Sequence, residues 1–403
     1  MNMSNIILDV KESVKWIGVL DRELETFDIV METQFGTTYN SYFIDAEKKA
    51  IIDSTKETKK EEYLEKVRSV CDPKDIEVIV VNHTEPDHSG NVVHLLELAP
   101  NATVFGSKVA INYLKEIINK PFDACPVKDG DIISLGNKNL RVINAPNLHW
   151  PDSIYTYLEE DKLLFTCDSF GSHYCDEKMF DDIVNEKEHL EAFDYYFDVI
   201  LRPFSSFLLK AIDKIENLEI DAICPGHGPI LRTKWKEIVE RSKQRAQAYL
   251  DDSCCDGNQV LVTYVSAYGY TKEMAQDVVK GLKEVGNCEV DLVDIENILL
   301  GDLESKIVRS NAILVGSPTI NKNTVLPVYK LFALLTPLRD KNKKAAVFGS
   351  YGWSGEAVGI IESHLKNLGL NVVIDGVRAK FAPGGEKEAD LIEFGRDFAK
   401  QLS

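Results

Sequence analysis

The sequence lacks the features of several common protein classes. Its 403 residues contain no apolar run that approaches the roughly 18 residues of a membrane-spanning helix. The N-terminal residues MNMSNIILDVKESVKW acquire charge at once and lack the apolar segment of a secretory signal. Basic residues are scarce, at 46 against 65 acidic ones, and the net charge of −19 disfavours binding to nucleic acid or to anionic lipid. These absences predict a cytoplasmic protein with no membrane or nucleic-acid partner.

Cysteine pairs are also missing. None of the eight cysteines belongs to a CxxC pair, and a zinc-ribbon or rubredoxin module needs two such pairs. Scattered cysteines in a large acidic chain are typical of a reducing compartment rather than of a disulfide framework. We therefore expect no rubredoxin module within the chain.

The composition is that of a folded protein with more than one domain. Hydrophobic residues make up 44% and charged residues 28%, which excludes disorder as the main state. At about 150 residues per domain, the length indicates two to three domains. A charged helical stretch precedes DDSCCDGN at 251–258, and an apolar strand-like run follows it. The sequence thus predicts one domain over 1–252 and another over 253–403.

The C-terminal part alternates between short apolar runs and amphipathic helical patterns. We predict a last helix at 387–402, and strands at 259–265, 288–294, 312–316, 345–349 and 371–375. Five strands separated by helices indicate a parallel sheet covered by helices on both faces, which is a doubly wound α/β fold.

The N-terminal part is less regular. Helical patterns occur at 59–70 and 107–119, and strand-like runs at 41–45, 76–82, 140–144, 154–158 and 221–224. Several of these strands are arranged as hairpin-like pairs, which indicates a mixed α/β domain.

Histidines and carboxylates recur after predicted strands of this N-terminal part. The run HTEPDH follows the strand at 76–82, and further candidates lie in LHWPDS, TCDSFG and PGHGP. Loops at the ends of parallel strands gather at one edge of a sheet, where sites are built. The candidate ligands are His83, Glu85, Asp87, His88, His149, Asp168 and His227.

Four imidazoles and three carboxylates suit a pair of metal ions. A two-metal site needs one carboxylate that bridges ions roughly 3.5–4 Å apart. Because no thiolate is included, the set suits iron or manganese better than structural zinc. The alternative is that these are separate loop residues, which we favour for His94, His189 and His364 on amphipathic helices. Asp168 alone could simply cap a helix.

A loop suited to phosphate follows the first strand of the C-terminal part. Its hydroxyls, its glycine and the helix N-terminus after it can bind an anion through backbone N–H groups and the helix dipole. The chain has no GK[ST] and no GxGxxG motif, so a Walker loop or a Rossmann dinucleotide loop is not indicated. A flavin monophosphate fits, and an ordinary strand-to-helix turn is the alternative. The loop residues are Ser266, Ala267, Tyr268, Gly269, Tyr270 and Thr271.

Two further loops follow the strands at 312–316 and 345–349. Aromatic rings on a glycine-rich backbone can approach a flat ring closely. Because all three loops lie at one edge of the predicted sheet, a flavin site is favoured over unrelated turns. The residues of these loops are Ser317, Pro318, Thr319, Ile320, Asn321, Ser350, Tyr351, Gly352, Trp353, Ser354 and Gly355.

These motifs together resemble one family, the flavodiiron or A-type flavoproteins, in the class without a fused rubredoxin domain. HTEPDH, LHWPDS, TCDSFGSHYCDE and PGHGP resemble its metallo-β-lactamase-like domain, in which Glu85 replaces a histidine of the related zinc hydrolases. The three C-terminal loops, GSYGWSG above all, are similar to its flavodoxin-like domain. The resemblance covers nearly the whole chain and implies an N-terminal αββα domain followed by a flavodoxin-like domain.

The resemblance also implies the cofactors and the reaction. FMN would receive electrons from a separate donor, such as rubredoxin or a reduced soluble cofactor, and two non-haem irons would reduce O₂ to water, NO to N₂O, or both. The expected assembly is a head-to-tail homodimer or a dimer of such dimers. The implied ligands are His83, Glu85 and His149 for one iron, Asp87, His88 and His227 for the other, and Asp168 as the bridge, although the second iron could be satisfied without His88.

Two positions bear on the reaction itself. The family often has Phe-His-Gly where this chain has Phe27-Asp28-Ile29. An unperturbed aspartate, with a pKa of about 3.9, shuttles protons less readily than histidine near neutral pH. We predict O₂ as the main substrate and NO as a secondary one. Of the tyrosines before LRPF, we favour Tyr195 over Tyr196 as a pocket residue, and the alternative is that both are packing aromatics.

Two other functions remain open. The first is a hydrolase of esters or phosphodiesters with a flavin domain as sensor, and Glu85 and the flavin loops argue against it. The second is an electron carrier with a degenerate, metal-free partner domain, and the intact series of ligands argues against that.

Overall fold

The computed structural model describes residues 6–27, 31–253 and 258–402. The chain divides into two compact units that meet in sequence between Ala248 and Tyr249. Residues 254–257 of the predicted boundary segment lie outside the described ranges, and the boundary at 252/253 stays a prediction. Within the described ranges, no helix is both long and apolar enough to cross a membrane.

The first unit contains many short strands. Its strands are β1 (Leu8–Lys11), β2 (Val14–Trp16), β3 (Val19–Asp21), β4 (Thr26–Phe27), β5 (Met31–Glu32), β6 (Thr37–Tyr39), β7 (Tyr42–Ile44), β8 (Lys49–Ile52), β9 (Ile76–Val80), β10 (Thr103–Ser107), β11 (Ala124–Val127), β12 (Ile132–Ser134), β13 (Asn139–Asn144), β14 (Ile154–Leu158), β15 (Leu163–Cys167) and β16 (Ala222–Pro225).

The helices of this unit lie between the later strands and after them. They are α1 (Lys60–Val70), α2 (Pro86–Ser89), α3 (Val92–Leu98), α4 (Lys108–Ile118), α5 (Glu186–Tyr196), α6 (Ser205–Ile215) and α7 (Trp235–Ser253), which continues past the division of the chain. A π-helical turn occupies Phe197–Leu201, and 3₁₀ turns occupy Glu57–Lys59, Pro73–Asp75 and Arg202–Phe204.

Two mixed sheets form the centre of the first unit. Their orders are β1-β2-β7-β8-β9-β10-β11 and β12-β13-β14-β15-β16, and two small hairpin sheets join β3 with β6 and β4 with β5. Buried Trp16, Tyr42 and Phe165 belong to a core that both sheets share. Separate cores join the first sheet to α1, α3 and α4 and the second to α5, α6 and α7. The layers are therefore helix, sheet, sheet and helix, as expected for a metallo-β-lactamase-like domain.

The second unit is a doubly wound parallel sheet. Its strands are β17 (Gln259–Tyr264), β18 (Glu289–Asp294), β19 (Ala312–Gly316), β20 (Lys344–Tyr351), β21 (Asn371–Val372) and β22 (Val377–Lys380). Its helices are α8 (Tyr270–Val285), α9 (Leu300–Arg309), α10 (Leu326–Leu334), α11 (Pro337–Asp340), α12 (Glu356–Asn367) and α13 (Glu386–Lys400), with a 3₁₀ turn at Ile295–Asn297. The order is β18-β17-β19-β20-β21, and cores lie on both faces.

The last predicted strand differs from the structure. We predicted one strand at 371–375, whereas the chain forms β21 and, after Asp375 and Gly376, a separate strand β22. Because β20 is eight residues long, its first residues pair with β21 and its last ones with β22. The sheet thus has six strands instead of five, and β22 ends directly before Phe381.

Candidate metal centre and flavin pocket

The loops of four strands bring the seven predicted ligands together. Two of these residues lie between β9 and α2, two on α2, one between β13 and β14, one directly after β15 and one two residues after β16. They form two groups, and the ligand atoms within each group lie within 4.8 Å of one another. We call His83, Glu85 and His149 the Glu85 group, and Asp87, His88 and His227 the Asp87 group.

Asp168 faces the two groups with different oxygens. Its Oδ2 lies 3.4 Å from Nε2 of His83 and 3.7 Å from Nε2 of His149. Its Oδ1 lies 3.1 Å from Nε2 of His88 and 3.6 Å from Nε2 of His227. A carboxylate that bridges two metal ions needs one oxygen for each ion, and this geometry provides that.

One further carboxylate belongs to each group. Oε2 of Glu85 lies 3.2 Å from Nε2 of His83 and 2.9 Å from Nε2 of His149. Oδ2 of Asp87 lies 3.3 Å from Nε2 of His88 and 3.1 Å from Nε2 of His227. Each group therefore combines two imidazoles, its own carboxylate and one oxygen of the shared aspartate.

The two groups differ in exposure. The side chains of His149 and Glu85 are 21% and 13% exposed, whereas no side chain of the Asp87 group exceeds 6%. The ring of His173 packs 5.1 Å from that of His227, measured between centroids. The Asp87 group is thus enclosed by protein, and the Glu85 group is the side of the site that solvent can reach.

Contacts between the ligands maintain their charges. Burial alone would raise the pKa of Asp168, but the facing histidines outweigh it and lower that pKa well below its ordinary range. Hydrogen bonds from His149 and His83 likewise lower the pKa of Glu85 against the effect of burial. Burial opposes the charge of His88, yet the nearby aspartates raise its pKa to about 9. Asp168 and Glu85 therefore stay ionised, and His88 holds a proton that a bound cation would displace.

Buried oxygens without hydrogen bonds show that the residues fit a cation. Within the described part of the chain, both side-chain oxygens of Asp87 and Oδ2 of Asp168 are buried and accept no hydrogen bond. A buried anionic oxygen is costly unless a donor or a cation satisfies it. Nearby Cys167 stays a thiol, because burial raises its pKa. The remaining donors are imidazole and carboxylate, which suit two iron ions.

Neighbouring loops orient the Asp87 group. Nδ1 of His227 donates a 2.6 Å hydrogen bond to the carbonyl oxygen of Thr38, which leaves Nε2 for the site. Asn40 donates to two backbone carbonyls of the same loop at 2.8 and 3.0 Å. A Cβ at Gly226 would lie only 2.7 Å from Cε1 of His88. The PGHGP loop therefore needs glycine where it passes the other ligands.

The tyrosine that contacts the ligands is Tyr196, whereas the sequence favoured Tyr195 as the pocket residue. Tyr196 is fully buried, and its hydroxyl donates to Oδ1 of Asp168 at 3.1 Å. Tyr195 is 41% exposed. Helix α5 buries Ala192 and Phe193 on the same face as Tyr196, so the helical spacing indicates that Tyr196 is the buried tyrosine of the pair. Participation of Tyr195 in the reaction stays a prediction.

His173 also lies beside the ligands, and the sequence did not predict this. This residue is 3% exposed, its Nδ1 lies 2.9 Å from Oγ1 of Thr37, and its ring centroid lies 4.3 Å from that of Phe27. Burial and the charge of His227 lower its pKa well below the ordinary value, which keeps the imidazole neutral. Its place in the motif that contains Asp168 was the available signal, but no spacing rule predicted the contact.

The three loops of the second unit line a cavity of about 690 Å³. Ser266, Gly269, Thr271, Ser317 and Gly355 lie in these loops but are not among the lining residues. Lys322 and Phe381 line the cavity without having been predicted. The lining residues that were predicted are Ala267, Tyr268, Tyr270, Pro318, Thr319, Ile320, Asn321, Ser350, Tyr351, Gly352, Trp353 and Ser354.

Hydrogen bonds connect these loops to one another. Oγ1 of Thr271 lies 2.8 Å from Oγ of Ser350, and the backbone N–H of Thr319 donates to the carbonyl of Ser350 at 2.8 Å. Gly269 precedes α8 with a φ of +90°, and beyond the neighbouring residues of its own chain segment no atom lies within 4 Å of the position of a Cβ there. This backbone favours glycine and leaves space beside the helix N-terminus, as an anion site requires.

Comparisons with known proteins reproduce this two-part organisation. The family model described as ODP family beta lactamase matches residues 37–228, and the flavodoxin model matches 262–395. The chain is 39% identical over 399 residues to the flavo-diiron protein FprA2 of Clostridium acetobutylicum, covering 98% of this chain and 99% of that one. It is 36% identical over 400 residues to a protein of Moorella thermoacetica named nitric oxide reductase, covering 98% of each.

Solved structures agree with the sequence comparisons. The rubredoxin oxygen:oxidoreductase of Desulfovibrio gigas is similar with a TM-score of 0.70 and 28% identity over 98% of both chains. The flavodiiron protein of Giardia intestinalis gives a TM-score of 0.67 and 29% identity over 98% of this chain and 97% of that one. These likenesses confirm the predicted fold of both parts. The chain therefore belongs to the family of the flavodiiron proteins, also called type A flavoproteins.

Proposed function

We propose that this oxidoreductase passes electrons from an external donor through FMN to a diiron centre, where it reduces O₂ to water, NO to N₂O, or both. The observation that carries the proposal is the division of six candidate ligands between the two oxygens of Asp168. The relatives named nitric oxide reductase and rubredoxin oxygen:oxidoreductase support the class of reaction. When bound, two irons and one flavin supply carriers for the four electrons of full O₂ reduction.

The Glu85 group would hold one iron and the Asp87 group the other, with Asp168 between them. His88 is the ligand that the second iron could spare. Its Nδ1 is buried without a hydrogen bond within the described residues, whereas Thr38 orients the ring of His227.

The two groups of ligands differ in their surroundings, and we infer that they differ in their roles. Because the Glu85 group is the more exposed, we place the approach of the gas on that side. Burial raises the pKa of Tyr196, so its hydroxyl keeps its proton and donates to Asp168. That hydrogen bond holds Oδ1 of the shared carboxylate toward the Asp87 group.

The flavin would bind in the cavity of the second unit. We assign its phosphate to the loop from Ser266 to Thr271 and to the N-terminus of α8, and its ring to the loops at 317–321 and 350–355. Aromatic side chains and a glycine-rich backbone at these loops support that assignment.

The donor, the assembly and the location belong to the same proposal. A separate rubredoxin or a reduced soluble cofactor would deliver the electrons, in keeping with the relative named rubredoxin oxygen:oxidoreductase. The family resemblance supports a head-to-tail homodimer or a dimer of dimers, and the acidic chain with dispersed cysteines supports a cytoplasmic location.

The alternatives are weaker. Hydrolysis is not favoured, because named relatives are reductases. An electron carrier with a degenerate first domain would not need buried carboxylates to converge on two sets of imidazoles.

Metal and flavin analysis of one anaerobic preparation from iron-replete cells tests the proposal. We expect about two irons and one FMN per chain, because the ligand set suits two such ions. Two zinc ions, no iron and no reductase activity after iron is added would refute the diiron assignment.

A second measurement tests whether the protein reduces O₂ faster than NO. Asp28 lies outside the described residues, so the preference for O₂ stays a prediction from the sequence. The same preparation and reductant should be used to measure O₂ consumption and, without air, N₂O formation. NO turnover clearly faster than O₂ turnover would reverse the order, and unchanged rates and pH profiles in Asp28→His would show that this position does not contribute.

A further inference from the structure

A second aspartate lies behind the Glu85 group. Asp152 belongs to LHWPDS, shortly after His149, and is fully buried. Its Oδ2 accepts hydrogen bonds from the backbone N–H of Thr84 at 2.7 Å and from the hydroxyl of Thr84 at 2.8 Å. The same oxygen lies 3.3 Å from Nδ1 of His83. One carboxylate oxygen therefore serves three donors of a single ligand loop.

These contacts connect the two loops that carry the Glu85 group. Thr84 stands between His83 and Glu85, while His149 shares the loop of Asp152. The hydrogen bonds from Thr84 to Asp152 therefore fix the loop of His83 and Glu85 relative to the loop of His149. No other loop contributes to this group apart from the shared Asp168.

The contact with His83 also determines which nitrogen faces the site. An ionised carboxylate can only accept, so Nδ1 of His83 carries the proton. Nε2 faces the site, 3.2 Å from Oε2 of Glu85 and 3.4 Å from Oδ2 of Asp168, and it is the nitrogen that would release its proton to bind the ion. A carboxylate on the far nitrogen of a ligating imidazole fixes its tautomer and increases its basicity.

We infer that Asp152 is the positioning residue for the iron of the Glu85 group: it sets the tautomer of His83 and keeps the two ligand loops in register. The inference rests on the proposed function, since it assumes that this group binds iron. The Asp87 group differs, because its His227 donates to an uncharged carbonyl. Only the Glu85 group therefore has a carboxylate on the far nitrogen of a ligand among the contacts described here.

The position requires the charged side chain and not only its shape. Oδ1 of Asp152 is buried and accepts no hydrogen bond within the described residues. An asparagine could keep its oxygen on the three donors, but its amide would then bury N–H groups without acceptors. It would also remove the negative charge beside His83.

The test uses the full-length protein, stripped of metal, and three variants. Asp152→Asn removes the charge. Thr84→Val removes one donor to the carboxylate and leaves the contact of Asp152 with His83. Asp181→Asn is the matched control, because Asp181 is 2% exposed and accepts from the backbone N–H groups of residues 232–234.

Three readouts separate positioning from folding. Co²⁺ affinity is measured by chelator competition, the Co²⁺ absorption spectrum reports the geometry of each ion, and the thermal midpoint of the metal-free protein reports folding. We expect Asp152→Asn to bind one of the two ions about 10–100-fold more weakly, with an altered spectrum for that ion. Asp181→Asn should match the wild type, and Thr84→Val should show the smaller loss.

Each contrary result has a distinct meaning. If the wild type binds two ions and Asp152→Asn binds them equally well, or loses no more affinity than Asp181→Asn, the inference is wrong while the proposed function stands. If Thr84→Val loses as much as Asp152→Asn, Asp152 only supports the turn, and its assigned effect on His83 is wrong. A wild type without two metal sites would overturn the proposed function and this inference together.

Discussion

The side chains of the metal centre and those of the flavin pocket differ in their exposure to solvent. His83 and His88 are completely buried, whereas Tyr268 and Trp353 at the flavin pocket are 86% and 78% exposed. A small cation must be surrounded by charged ligands that the fold holds in place. A flavin is large and flat, and it can itself cover apolar rings. The metal centre is therefore part of a core, while the flavin pocket is an open surface.

This difference predicts how each site responds to change. The ligands of the metal centre contact one another and the core, so replacing one of them also alters the surrounding protein. The exposed loops of the flavin pocket rest on a sheet with its own cores. A change there should alter binding of the flavin and leave the first unit intact, because units with separate cores respond independently.

The largest effect should come from Asp168→Ala. This variant removes the carboxylate that offers one oxygen to each group, and we expect loss of the paired metal ions and of O₂ and NO turnover, with normal FMN content. It also breaks a buried charged contact with His88, which typically costs about 3–5 kcal/mol of stability. Metal analysis, flavin absorbance and turnover on one preparation measure the outcome. Full turnover in this variant would show that Asp168 only caps the end of its strand.

Gly269→Val should affect the flavin and not the metal ions, which is the reverse of what we expect for Asp168→Ala. A β-branched residue at a φ of +90° strains the backbone by about 1–3 kcal/mol, and it crowds the approach to the phosphate loop. FMN should be lost while iron is largely retained.

Gly286→Val provides the matched control for that change. Gly286 ends α8 with a φ of +72° and open space around it, at the opposite end of the helix from the loop. It should show similar strain with normal FMN content. Undiminished FMN in Gly269→Val, or equal loss in both variants, would contradict the assignment of the phosphate loop.

The two sites should also differ in their response to pH. Nearby carboxylates raise the pKa of His88 to about 9 in the metal-free protein, so protons compete with metal below that pH. Metal affinity should therefore rise with pH by up to about tenfold per unit for each proton released, from about pH 6.5 to 9, while FMN affinity changes little. Titration of the metal-free protein with Co²⁺ at several pH values measures this. A flat metal affinity over that range would show that no ligand holds a proton there.

Local sequence patterns predicted the ligands of the metal centre, whereas contacts between distant segments were not predictable. The ligands of HTEPDH occur in one short run, and each remaining ligand follows a strand, so local spacing predicted the set. Contacts between distant segments were not accessible: Asp152 meets His83 across 69 positions, and Phe381 reaches the flavin pocket only because the long β20 pairs with a second edge strand. His173 was missed for the same reason.

The contact of Tyr196 with Asp168, unlike the contacts between distant segments, follows from a local pattern. The buried positions of α5 repeat at helical spacing and include Tyr196, so the information was present in the sequence. The position of the pair before LRPF favours Tyr195, whereas the phase of the helix favours Tyr196. For this pair of tyrosines, helical periodicity is a better guide to the residue that contacts the ligands than its position in a motif.

The smallest predicted effect compares the two tyrosines directly. Tyr196→Phe removes one hydrogen bond to the ionised Asp168, and such bonds contribute about 1.5–3 kcal/mol. Because the carboxylate would keep its contacts with four histidines, we expect metal content to be retained and turnover to fall by about tenfold. Tyr195→Phe is the matched control: its side chain is 41% exposed, and loss of its hydroxyl should leave turnover near the wild-type value. Both variants should be compared by turnover, iron content and the spectrum of the metal centre. A large loss in Tyr195→Phe with none in Tyr196→Phe would mean that the exposed tyrosine acts in the reaction and that the buried one only packs.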